Sequence, residues 1–374
     1  MRDKIKVAVL FGGQSSEHEI SRVSAQCVLE NVDPERFDIK MIGITKKGEW
    51  LPYSGPVAHI GSGDWEYIAR SALSSGEKPL ALTGGKTKPA TCLDMVCGGD
   101  TAGDGPVDVV FPVLHGPNGE DGSVQGLLQL ADIPYVGCGI LASAAGMDKE
   151  FSKLVFNNAG IVQARYIKVS RNEIEGALEV IKSRIHEELG WPCFVKPANA
   201  GSSVGISKVK RPEDLAQALR FAAEYDSKIL IEEFIDGREV ECAVLGNDNP
   251  IASTVGEIVP CNEFYDYNAK YIDNKSEIII PAQLEQAVIE TVRDMSVRAF
   301  KALGCSGLSR VDFFIERKTG RVVLNELNTM PGFTSISMYS KLWGASGISY
   351  SQLITRLIEL ANEKHEDSRK SYER

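Results

Sequence analysis

The sequence predicts a mixed chain in three parts: an open, mostly parallel α/β sheet, a small α+β unit, and a second α+β unit built around a hairpin. Three observations predict it. Apolar runs alternate with helical patterns over the first ~140 residues. A β-α-β-loop-β-α-β-β order fills the middle of the chain. The 374 residues exceed one core of ordinary size, so two or three domains are expected. The parts are set at 1–146, 147–246 and 247–374.

In order, "IKVAVLFGG" is a continuous apolar strand ending in a glycine loop, and "SSEHEISRVSAQCVLENV" has helical spacing behind a serine cap. "FDIKMIGIT" and "VDVVFPVLHG" are further strands, and "GSVQGLLQLADI" is a helix. The stretch from 54 to 106, rich in Gly, Ser and Thr, reads as loops or an insertion. "MDKEFSKLVFNNAG" is a helix closed at Asn158-Ala159-Gly160. The middle block then runs "ARYIKVS" as a strand, a helix over 173–189, "PCFVKPANAGSSVGISKV" as two strands about a loop, and a helix over 212–224. It ends with the strands "KILIEEFI" and "REVECAVLG". The last part holds the helix "LEQAVIETVRDMSVRAFKAL", the hairpin "RVDFFIERKTGRVVLNELN" and a final helix with a solvated end, "EKHEDSRKSYER".

Hydrophobic residues make up 43% and charged residues 25%, as in ordinary globular proteins. With 41 basic against 51 acidic residues the formal charge is −10, which disfavours non-specific binding to nucleic acid or anionic membrane. The eight cysteines include no C-x-x-C pair and several lie in apolar runs, so buried reduced thiols are expected rather than a zinc site or a disulfide frame. No run approaches the roughly 18 apolar residues of a membrane span, and the first apolar run is short for a signal peptide. A cytoplasmic protein is expected.

The hairpin carries polar groups where an apolar strand pair is otherwise expected. A turn centred on Thr319, with Gly320 supplying a positive φ, pairs Asp312 with Glu326 and Arg310 with Asn328. Alternation puts all four side chains on one face near the open end. Two acids and an amide oxygen are hard ligands suited to Mg²⁺ or Mn²⁺; a surface hairpin end with an Arg–Asp bridge accounts for them equally well. Lys196 stands at the exit of an apolar strand, before a loop of small and amide residues whose N–H groups can approach phosphate oxygens. It is no P-loop, because G-x-x-x-x-G-K-[ST] is absent from the chain. In "ILIEEFIDGREVE", Glu232 and Glu239 can accept from ribose hydroxyls, with Phe234 and Ile235 forming an apolar slot for a base; Glu233 reads equally as part of a solvated turn.

Together these stretches resemble the ATP-grasp superfamily, and within it the D-alanine–D-alanine ligases. The resemblance spans nearly the whole chain in order, through "FGGQSSEHEIS", "LHGPNGEDG", "GMDKEFSK", "VKPANAGSSVGISKV", "EEFIDGREVE", "FYDYNAKYI", "RVDFF", "NELNTMPGFT" and "SISMY". It implies a three-domain ATP-grasp fold with ATP between the second and third parts. Lys149, Lys196 and Ser203 would then contact ATP, with Glu232, Glu233 and Glu239 as nucleotide-site acids and Phe234, Ile235 and Phe264 around the adenine; Lys270 joins this nucleotide set. Asp312, Glu326 and Asn328 would hold two Mg²⁺ ions, Mn²⁺ being an alternative. Glu17 and His115 would grip the first D-alanine, and Ser202 and Tyr271 would join Glu17 in a hydrogen-bonded set. Arg310 and the Gly332 backbone would stabilise an oxyanion, while Ser337 and Met338 border the second D-alanine. The resemblance further implies two D-alanine substrates, a dipeptide product for peptidoglycan precursors and a homodimer. D-lactate-type relatives lack the "YDYxAKY" loop that is intact here, and serine-type relatives carry phenylalanines at its aromatic positions. A Rossmann dehydrogenase is disfavoured by the missing G-x-G-x-x-G.

Overall fold

The computed structural model describes residues 4–74, 106–201, 204–259 and 277–369. Three sheets organise it. The first has the order β3-β2-β1-β4, from β1 (Ile5–Gly12), β2 (Phe37–Ile44), β3 (Trp50–Tyr53) and β4 (Val109–Pro112). β1 runs parallel to both β2 and β4, and β3 adds an antiparallel edge that the apolar pattern did not announce. One face packs on the helix His18–Asn31, the other on Ser123–Leu130. Part of the predicted insertion is helical, Ala58–Ser62 and Trp65–Ser74. Trp65 fills the space above Gly43, where a Cβ would lie 2.1 Å from its ring, so only glycine lets that helix seat.

The second sheet has the order β5-β8-β6-β7, from β5 (Tyr166–Ser170), β6 (Cys193–Pro197), β7 (Ser207–Val209) and β8 (Lys228–Glu233). Val195, Ile229 and Ile231 point to the face covered by helices Ile174–Arg184 and Leu215–Ala223. Alternation therefore turns Phe194, Lys196, Leu230 and Glu232 to the opposite face.

The third sheet is antiparallel, β11-β10-β9-β12-β13, from β9 (Gly237–Gly246), β10 (Ile251–Val259), β11 (Glu277–Ile279), β12 (Gly307–Glu316) and β13 (Val322–Asn328). β9 lies within the stretch expected to form the middle unit, 147–246. It belongs to this sheet rather than to the middle unit, so the division between sheets falls in the turn after Glu233. Val240, Cys242, Val311, Phe313 and Ile315 pack against the helix Gln286–Leu303. Their neighbours Glu239, Glu241, Arg310 and Asp312 take the other face. Beyond that face, helices Met338–Ala345 and Tyr350–Ser368 join the first and third sheets in one continuous core. The helix Met338–Ala345 was not anticipated from the sequence.

Cys138, Cys193, Cys242 and Cys305 are buried free thiols and Cys27 is half-buried. Among the described residues no helix is long and apolar enough to cross a membrane.

Candidate active site

A cleft of about 530 Å³ opens where the polar faces of the second and third sheets meet the loops of the first. The two sheet walls follow from strand alternation, which turns Phe194, Lys196 and Glu232 of the second sheet and Glu239, Arg310, Glu326 and Asn328 of the third toward the cleft.

On the second-sheet wall, Lys196 of β6 and Glu232 of β8 lie diagonally across an antiparallel pair, with Nζ 2.6 Å from Glu232 Oε2. Lys153 supplies the other oxygen's partner, Nζ to Oε1 at 3.1 Å. All three side chains are buried. Burial alone would neutralise Glu232, but Lys153 and Lys196 hold it below the ordinary carboxylate range. Burial also pulls Lys153 below the usual lysine value against the pull of Glu232. The expected role of Glu232 as an open acceptor for ribose therefore meets a different geometry, because both of its oxygens already face ammonium groups. Glu233 is likewise engaged: its carboxylate accepts from the Arg165 N–H at 2.8 Å and from Arg165 Nε at 2.7 Å.

Lys153 was missed in the sequence. Its signal is the four-residue spacing from Lys149 on one helix, Lys149–Asn158, which places both on the same side. Asp148 caps that helix by accepting from Glu150 N and Phe151 N. Lys149 lines the cleft and ties down the glycine-rich loop, donating from Nζ to the Ala200 carbonyl at 2.6 Å. Phe194, Phe234, Ile235 and Ile258 give the cleft an apolar end, with Glu239 beside them.

The third-sheet wall has the predicted hairpin pairing at its open end, Arg310 with Asn328 and Asp312 with Glu326. A bulge then shifts the register, so Phe313 pairs with Leu324 and Asn325 is the extra residue. Arg310 grips Asp312 with two hydrogen bonds of 2.7 Å and reaches Glu241 at 2.8 Å. Asn328 Nδ2 donates to Asp312 Oδ2 at 3.0 Å. Burial opposes the Arg310 charge, yet Asp312 and Glu241 raise its pKa well above the ordinary arginine value. Glu241 is a further acid that the sequence reading passed over; it stands two residues from Glu239 and so shares its face.

Glu326 and Asn328 line the cleft, while Asp312 lies behind Arg310. The fit to a divalent cation is a matter of charge: Asp312, Glu241 and Glu326 stand around the single guanidinium of Arg310. Among the described residues no three His, Cys, Asp or Glu side chains are gathered tightly enough to hold a metal alone.

At the first-sheet end, Glu17 occupies the N-cap position of the helix His18–Asn31 without capping it. The nearest serine bond lies two residues before that position, Ser15 Oγ accepting from Glu17 N at 3.0 Å. The Glu17 carboxylate instead lies between Gly116 and Gly201, where a Cβ on either would come within 2.6 Å of Oε2. His115 is buried with Nε2 3.2 Å from Ser24 Oγ. Burial first and Arg310 second depress its pKa to about 4, so the imidazole is neutral at pH 7.

Gly332 lines the cleft and a Cβ there would be 2.8 Å from Ser337 Oγ. Ser337 Oγ accepts from Thr334 N at 3.0 Å. The Met338 side chain is buried in the core against Gly256. Ser202, Ser203, Phe264, Lys270 and Tyr271 lie outside the described residues.

Comparison with known proteins agrees with this geometry. Residues 6–138 match the family model described as D-ala D-ala ligase N-terminus, and residues 155–359 match D-ala D-ala ligase C-terminus. The chain is 56% identical to the D-alanine–D-alanine ligase of Acetivibrio thermocellus over the full length of both. It is 54% identical to that of Ruminiclostridium cellulolyticum, over 99% of this chain and 98% of the relative. Among solved structures, the D-alanine-D-alanine ligase from Coxiella burnetii superposes with a TM-score of 0.81 at 34% identity, covering 97% of this chain and 95% of that one. The VanG D-Ala:D-Ser ligase from Enterococcus faecalis gives the same TM-score at 40% identity, covering 96% and 100%. With both halves of the family matched and the lysine and acid walls in place, the chain belongs to the D-alanine–D-alanine ligases, with the ATP-grasp α/β architecture.

Proposed function

We propose that this protein joins two D-alanines to D-alanyl-D-alanine at the expense of ATP, supplying a dipeptide for peptidoglycan. The observation that carries the reading is one cleft that brings Glu17, the Lys153–Glu232–Lys196 cluster and the Arg310–Glu326–Asn328 face together from three sheets.

A carboxylate and an amine do not condense at neutral pH without activation. The first D-alanine's carboxylate attacks the γ-phosphate, releasing ADP and forming an acyl phosphate. The second D-alanine's amine attacks the acyl carbon, inorganic phosphate leaves and the amine loses a proton. Glu17 holds the first ammonium, and the neutral His115 lines the same cleft without adding charge. Lys196 and Lys149 face the phosphates, and Phe234 and Ile235 flank the base beside Glu239. Arg310 and the Gly332 N–H meet the negative oxygen of the tetrahedral step. Asp312, Glu326 and Asn328 would hold Mg²⁺, which when bound neutralises phosphate charge. Ser202, Ser203, Phe264, Lys270 and Tyr271 keep the roles that the resemblance implies for them.

ADP release measured with D-alanine, D-serine, D-lactate and no acceptor tests the reading. D-alanine alone should support rapid turnover; a preference for D-serine would move the protein to the second reading, which the likeness to the VanG enzyme favours.

We also propose a homodimer through the first unit. Leu130 and Leu141 are 90% and 78% exposed there, beside the half-exposed Ile140. Sedimentation at about twice the 40.7 kDa chain mass would support it, and a monomer mass would contradict it.

A further inference from the structure

Asn199 takes no part in the reaction as described above. It is exposed and lies outside the residues that line the cleft, while its neighbours Ala200 and Gly201 are among them. Its side chain is nonetheless tied twice. Nδ2 donates to Asp226 Oδ2 at 3.2 Å and to Asp148 Oδ2 at 3.1 Å, and the Asn199 N–H donates to the same Asp226 oxygen at 2.9 Å. Asp226 stands in the turn before β8, where its other oxygen accepts from Lys228 N at 3.1 Å. Asp148 caps the helix Lys149–Asn158 through Oδ1, and its Oδ2 also meets Lys228 Nζ at 2.6 Å. Two acids from separate elements thus converge on one amide. The backbone closes the knot: Lys149 N donates to the Ala198 carbonyl at 3.1 Å, and Ala198 N to the Lys228 carbonyl at 2.9 Å.

The two residues that follow reach both ends of the cleft. The Ala200 carbonyl accepts from Lys149 Nζ at 2.6 Å, and Gly201 lies against Glu17, a Cβ there falling 2.6 Å from Oε2. We propose that Asn199 is a positioning residue: held by Asp226 and Asp148, it fixes the 199–201 segment so that Ala200 orients the Lys149 ammonium and Gly201 bounds the Glu17 slot. The inference rests on the functional reading above for what Lys149 and Glu17 bind, and on the hydrogen bonds alone for the knot. The residue type follows from the partners. An amide nitrogen carries two N–H donors, and each meets one carboxylate, a charge-assisted bond in both cases. Aspartate in its place would set a third carboxylate against the other two. One exposed amide outside the cleft therefore bears on the phosphate end and the amino-acid end together.

The test uses full-length Asn199→Ala, Asn199→Asp and Asp226→Ala proteins. Binding of ATP with Mg²⁺, read by calorimetry, should weaken about fivefold in N199A and about twentyfold in N199D, where repulsion replaces the lost bonds. The KM for the first D-alanine should rise about fivefold in N199A, with the thermal midpoint within about 2 °C of wild type. N199A and D226A act through one contact, so the double variant should weaken ATP binding no more than the worse single variant. Multiplied single effects would overturn the knot, as would ATP binding and D-alanine KM both unchanged in N199A and N199D. If D226A does not fold, the comparison of N199A with N199D decides alone. Wild-type protein with no D-alanine-dependent ADP release would instead count against the proposed function. Hydrogen–deuterium exchange of the 198–201 amides, expected to rise about fivefold or more in D226A, would then still decide the knot, and unchanged exchange would overturn it.

Discussion

Glu17 shows how little room a substrate-binding carboxylate needs to be misplaced. Gly201 has no positive φ, so alanine is conformationally acceptable there, yet its Cβ would sit 2.6 Å from Glu17 Oε2. Gly201→Ala should therefore leave the thermal midpoint nearly unchanged and raise the KM for the first D-alanine about tenfold, since roughly 1.4 kcal/mol of lost binding is a factor of ten. Steady-state titration of D-alanine beside a melting curve checks this; an unchanged KM would mean that Glu17 does not hold the substrate. Glu326 lines the same cleft. Glu326→Gln replaces a charged oxygen ligand with a neutral one while keeping shape. The fold should survive and ligation should fall by about 100-fold or more at saturating Mg²⁺, because the lost charge stabilisation is several kcal/mol. Near-normal turnover would remove Glu326 from the metal site.

At the scale of elements, the open end of the hairpin was legible in the sequence because strand alternation and a glycine turn are local. Arg310, Asp312, Glu326 and Asn328 share a face as that logic requires. The bulge at Asn325 was not legible, since one strand carries no mark of the residue its partner skips. Sheet membership escaped for a related reason: β9 follows β8 directly, but only its pairing with β12 and β10 decides where it belongs. Glu233 met Arg165, and Glu232 met Lys153, across 68 and 79 residues (233 − 165 and 232 − 153), beyond what local pattern reports. Lys153 carries a prediction at this scale. Lys153→Met keeps the helix Lys149–Asn158 but leaves a buried Glu232 with one cation instead of two. Removing a partner of a buried ion pair costs about 3–5 kcal/mol, and the remaining Lys196 puts the expected loss near the lower end. Urea unfolding should show a loss of about 3 kcal/mol at an unchanged slope; a neutral effect would mean that water already reaches Glu232.

Across the whole molecule, the cleft exists because the second and third sheets turn polar residues toward a common space that the loops of the first sheet close. The first and third sheets share a core through Phe111, Phe333, Tyr339 and Trp343, which fixes the Glu17 end relative to the acid wall. The middle sheet has its own core, and it brings the lysine wall to the same cleft. Chemistry that needs an ammonium site, a phosphate site and an acid hairpin side by side follows from that arrangement. The most direct measurement is initial-rate ADP release by the purified protein with Mg²⁺ and ATP, against D-alanine, D-serine, D-lactate or no acceptor, with the dipeptide product identified by mass. The account predicts rapid ADP release with D-alanine, matched one to one by D-alanyl-D-alanine, and little with the others. ADP release that ignores D-alanine, or D-alanine consumption without dipeptide, would contradict it.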